Sequence, residues 1–77
     1  MSPLTLHRLW KLDCSLERLA RKVGVSKSLL SLIERGYLHR DPALVARYAK
    51  IYKLPVETFE IMVRDAARDA KLRRISL

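Results

Sequence analysis

The stretch LARKVGVSKSLLSLIERG, residues 19–36, restricts the fold of this chain more than any other. Gly24 stands between two amphipathic segments, each too short to persist as an isolated helix. Ser15 is a good N-cap for the first, and Leu16, Leu19, Ala20 and Val23 follow at the i, i+3, i+4, i+7 spacing of one helical face. Gly24 ends that helix, because glycine enters the left-handed region without a Cβ penalty. Ser26 caps the second segment, which runs to Arg35 with Leu30 and Ile33 three apart on its inner face, and Gly36 stops it. Two helices crossing steeply need a small residue where their backbones approach, and Ala20 supplies it. Val25, Leu30 and Ile33 fill the space between them.

The rest of the chain reads as further short helices. Ser2-Pro3 is a helix start, with proline where its missing N–H costs nothing. Leu6, Leu9, Trp10 and Asp13 then outline a segment to about Leu12, with Trp10 as core filler. Asp41-Pro42 opens a fourth helix carrying Leu44, Val45, Tyr48, Ala49, Ile51 and Tyr52. Past Pro55, the residues Val56, Phe59, Val63, Ala66 and Ala70 step by 3, 4, 3, 4, a heptad-like seam on a fifth helix. Asp65 with Arg68, and Asp69 with Arg73, sit at helical pairing distances. Aromatic residues are few, and two glycines and three prolines interrupt the pattern little. The expected fold is all-α: one domain over residues 1–77, a compact five-helix bundle with an extended C-terminal helix.

The second helix of the bent pair is then free to enter a DNA major groove, the helix-turn-helix arrangement. Charge agrees with that. Sixteen Lys/Arg against eight acids give +8, and counterion release from a polyanion rewards clustered cations. Residues 1–24 carry +3, 25–40 carry +2, 41–63 sum to zero and 64–77 carry +3. Cys14 is the sole cysteine, so no internal disulfide or cysteine-based metal site is available, and a buried thiol is favoured over a redox switch. His7 and His39 lack ligand-spaced partners, so no metal or other cofactor is expected. No nucleophile–base order or glycine-rich phosphate loop is present, and the chain is not expected to be an enzyme. No apolar run approaches membrane-spanning length and no signal peptide is evident. A cytoplasmic, nucleoid-associated location is expected.

SLERLARKVGVSKSLLSLIERG resembles the helix-turn-helix of lambda-repressor/Cro-type (XRE-type) regulators. Ser15, Leu19, Ala20, Val23, Gly24, Val25, Ser26, Leu30, Ile33, Glu34 and Gly36 match that pattern without a gap. The likeness covers residues 14–60, with 61–77 as an extension outside it. It implies a lambda-repressor-like domain that binds double-stranded DNA as a transcriptional regulator: a dimeric repressor of phage or bacterial type, on a near-palindromic operator. By matched position, Ser26, Lys27, Ser28, Ser31 and Leu32 would face bases, with Lys27 donating to guanine or holding a phosphate. Ser15, Arg35, His39 and Arg40 would meet the DNA backbone. Glu34 would form a structural ion pair with Arg8, or with Lys11 in second place.

Some positions depart from the pattern. Leu16 replaces a phosphate-binding glutamine, and Leu29, Leu32, Tyr37 and Leu38 add apolar character. Thymine-methyl contact by Leu32 with packing by Leu29 and Leu38 is one explanation. A protein partner is the other, which would make the domain an interaction module such as an antitoxin or a phage-encoded inhibitor of a regulator. The heptad-like seam is expected to be core through Val63, and its alanine-rich second half to pair with a second copy, with Val63, Ala66 and Ala70 as the dimerisation residues. The terminal KLRRISL is open between a solvated tail, a phosphate-binding arm and an apolar tether. Contact of this end with an anionic membrane is the weakest of the alternatives.

Overall fold

A computed structural model describes the backbone of residues 2–75 and the side chains of residues 2–69. Five helices follow in order: α1 Pro3–Trp10, α2 Leu16–Val23, α3 Lys27–Glu34, α4 Pro42–Ile51 and α5 Val56–Ile75. The described residues include no strand. Local chemistry sets the starts. Ser2, Ser15, Ser26 and Asp41 each occupy an extended N-cap, and each side chain accepts a backbone N–H from the first turn it precedes. Pro3 and Pro42 take the first helical positions.

The helices close around one core. Leu4 of α1, Leu30 and Ile33 of α3, Tyr52 at the end of α4, and Phe59 and Val63 of α5 are fully buried, with Leu19, Val45 and Ala49 beside them. α5 packs on α1, α3 and α4, and α2 packs on α3. The long last helix is thus the wall on which α1, α3 and α4 lean, with α2 held against it through α3.

Three expectations are corrected by this packing. Trp10 is not core but 81 % exposed, and Leu6 and Leu9 are exposed with it. The buried face of α1 is Leu4 and Arg8, one helical turn apart. Trp10 lies two residues beyond Arg8, roughly 200° around the helix, and so points away. The dimer seam is corrected in part: Val63 is 0 % exposed, in keeping with its core reading, and Ala66 too is taken by this chain's own core. Ala70 lies outside the described side chains. On α5, Glu60 pairs with Arg64 at 3.6 Å, and no ion pair joins Asp65 to Arg68. Arg73 lies outside the described side chains.

α5 also explains Gly36. That residue follows α3 with φ +116°, and a Cβ there would stand 2.6 Å from both Cα and N of Ala67. The chain leaving α3 lies directly on the α5 backbone.

Candidate functional site

The turn between α2 and α3 is closed by one carbonyl. Gly24, with φ +73°, and Val25 both donate their backbone N–H to the Ala20 oxygen, at 3.0 and 3.1 Å. Ala20 is buried, and the open side of the Gly24 Cα meets nothing. α3 leaves this turn with Leu30, Ile33 and Glu34 facing inward. Its other side is free: Lys27, Ser28, Ser31, Leu32 and Arg35 line one shallow depression of ≈ 420 Å³.

The residues singled out in the sequence occupy different situations. Lys27 and Ser28 are exposed at the start of α3, Ser31 is half-buried, and Leu32 is 44 % exposed. The Ser26 hydroxyl accepts the Leu29 N–H at 2.9 Å, and that of Ser15 accepts the Arg18 N–H at 3.2 Å. Both serines keep a hydroxyl proton to donate. Arg35 is exposed and its Nε donates to the Ser31 carbonyl at 3.4 Å, while Arg40 is exposed in the loop after α3. His39 accepts the Asp41 N–H on Nδ1 at 3.1 Å, which leaves Nε2 of the neutral ring as a donor. Tyr37 stands edge-on to His39 and is 46 % exposed. Leu29 and Leu38 pack partly against the core.

One member of this surface has no sequence-level signal. Lys27 Nζ donates to Glu17 Oε1 at 2.8 Å, from the first residue of α3 to the first turn of α2. The Lys27 hydrogen bond, helped by its charge, holds the exposed Glu17 carboxyl below its ordinary range. No helical spacing relates residues 17 and 27; only the turn brings them together.

Beneath the surface, α3 is tied to α1 and α4 by a buried polar cluster. Arg8 Nε donates to Glu34 Oε2 at 2.8 Å and Nη2 to Oε1 at 3.1 Å, a forked pair. Tyr52 donates its hydroxyl to Oε2 and Thr5 to Oε1, each at 2.7 Å. With the Thr5 proton so committed, Ser2 donates to the Thr5 oxygen, at 2.8 Å. Arg8 Nη1 donates to the Cys14 carbonyl at 3.0 Å and fixes the α1–α2 loop. Among the described residues no buried side-chain polar atom lacks a partner.

The charges respond accordingly. Burial pushes the Glu34 carboxyl up, but the hydrogen bonds from Arg8, Tyr52 and Thr5, with the Arg8 charge, outweigh it and hold it below its ordinary value. The Glu34 hydrogen bond raises Arg8 above its usual range against burial, and burial with the Glu34 contact raises the Tyr52 phenol. The Tyr52 and Thr5 contacts were hidden in the sequence, where Tyr52 reads as one more apolar position of α4.

The surface therefore offers cations and hydroxyl donors around an apolar side chain on one open helix face, above a base of fixed charge. Such a face suits a partner that carries anions and hydrogen-bonding edges together. A family model described as a helix-turn-helix domain matches residues 5–60. No curated protein matches the chain. No solved structure matches it.

Proposed function

The chain belongs to the helix-turn-helix domain family, and from that premise we propose that it is a sequence-specific regulator of transcription. It binds double-stranded DNA by inserting Ser26–Arg35 in the major groove, as a dimeric repressor of the XRE type, from a phage or a bacterium. The observation that carries this reading is the two-sidedness of α3: Leu30, Ile33 and Glu34 anchor one side, while Lys27, Ser28, Ser31, Leu32 and Arg35 line the open depression on the other. Ser26, Lys27, Ser28 and Ser31 supply donors for base edges, and Leu32 supplies apolar surface for a thymine methyl. The Ser15 helix start, Arg35, His39 and Arg40 hold phosphates. Selection of bound sequences from random duplex, with sedimentation to fix the oligomeric state, tests the proposal. It predicts a near-palindromic site whose affinity falls steeply with salt. Recovery of no preferred sequence overturns it.

Lys27 and Arg40 separate base reading from phosphate holding. Lys27→Ala is expected to relax preference at one base pair by about 1–3 kcal/mol. Arg40→Ala is expected to weaken all sequences alike and lower the salt slope by about 1. Equal loss at every sequence from both changes contradicts this division.

Glu17→Gln acts in the opposite direction. It frees Lys27 and removes a negative charge from the surface that meets phosphate. Affinity for non-specific duplex is expected to rise roughly two- to fivefold, and the ratio of specific to non-specific binding to fall. Titration of both duplexes at one salt concentration measures it. Unchanged binding on both would remove Lys27 from the interface.

A second reading rests on Leu32 and Tyr37, two exposed apolar side chains within and beside the same surface. On it the domain binds a protein as an antitoxin or as an inhibitor of a regulator. A co-purifying partner, together with no retention on duplex DNA at modest salt, favours it.

A further inference from the structure

A second depression, of ≈ 370 Å³, shares no residue with the α3 surface. The α1–α2 loop, one side of α2 from Arg18 to Val23, and the end of α4 with Lys53 after it surround it. Its deeper lining is apolar: Leu19 is buried, and Leu12, Val23 and Ile51 are half-buried against the core. Its rim is cationic, because Arg18, Lys22, Lys50 and Lys53 are all exposed around it, with Asp13 the one acid among them. None of the four cations has a carboxylate within 4 Å among the described residues. Asp13 (φ +49°) and Lys53 (φ +55°) are the two described non-glycine residues with left-handed backbone, and both line this depression. The bends they make carry the chain around it.

We propose that this depression is a binding site for a small amphipathic anion, a carboxylate on an aliphatic chain. The four cations exceed the acid by three, so the rim attracts an anion. The apolar lining distinguishes the ligand from a nucleic-acid phosphate, which has no use for Leu12, Val23 and Ile51. The volume falls within the range of small-ligand pockets, ~300–1,000 Å³. The proposal stands whether or not α3 reads DNA.

Titration of the ¹⁵N-labelled full chain with octanoate, followed by amide shifts, tests it. Saturable shifts are expected over residues 12–23 and 50–53, with none for octyltrimethylammonium at the same concentration. The double variant Lys22→Gln, Lys50→Gln is expected to bind octanoate about five- to tenfold more weakly. Its unchanged spectral dispersion shows that it remains folded, since both side chains are exposed. An Arg35→Gln variant, altered on the other surface, is expected to bind octanoate normally. Shifts that rise linearly without saturating, that the cationic surfactant reproduces, or that the double variant leaves unaltered overturn the proposal.

Discussion

Glu34→Ala is expected to cost the fold about 3–5 kcal/mol, a large part of the ~5–15 kcal/mol that a small domain has in total. The substitution removes the acceptor of four hydrogen bonds at once, two from Arg8 and one each from Thr5 and Tyr52. Arg8 is then left charged and unpaired while still buried. Tyr52→Phe removes a single donor and keeps the ion pair, so about 1–3 kcal/mol is expected there. Urea denaturation monitored by circular dichroism compares the two. Equal costs would show that the fork between Arg8 and Glu34 contributes nothing of its own. The same pair fixes a pH dependence. Because Glu34 is held below its ordinary value in the folded chain, its contribution is complete above the unfolded carboxyl pKa of about 4.3. It is lost as pH falls through the lower, folded value. Acid unfolding of the native chain is expected to be steeper than that of Glu34→Gln over this window.

Gly36→Ala is the second large effect. Its new Cβ would stand 2.6 Å from two backbone atoms of Ala67, and backbone cannot rotate aside as a side chain can. Either α5 withdraws from α3 or the loop after α3 is displaced. A loss of about 2–4 kcal/mol is expected from overpacking and the φ of +116° together. Gly24→Ala is the matched control. Nothing lies within 4 Å of its added methyl, so only the left-handed backbone is penalised, at about 1–2 kcal/mol. Urea midpoints of the two variants give the comparison, and equal shifts would remove the α3–α5 contact from the account.

Local rules made much of this fold legible. Ser2, Ser15, Ser26, Asp41 and the two prolines behind caps mark four helix starts, because capping needs only neighbouring residues. The inner faces of α2, α3 and α4 follow from their 3.6-residue spacing. Trp10 misled because size and apolarity state nothing about direction, and the charged Arg8 held the inward position instead. Spacing also could not separate the two uses of an alanine-rich seam: Ala66 would look the same inside one chain or between two. Of the candidate site, the open face of α3 could be read from periodicity. Glu17 against Lys27, Tyr52 under Glu34 and Ala67 against Gly36 arise only when distant segments meet.

The abutment of Gly36 on Ala67 fixes where this unit can be cut. The family match stops at residue 60, yet the two side chains that complete the interior, Val63 and Ala66, come after it. A proteolytic nick or a fusion joint placed after Glu60 severs the strut that braces the far end of α3. A joint beyond Ala67 keeps that contact, with Val63 and Ala66, on one fragment.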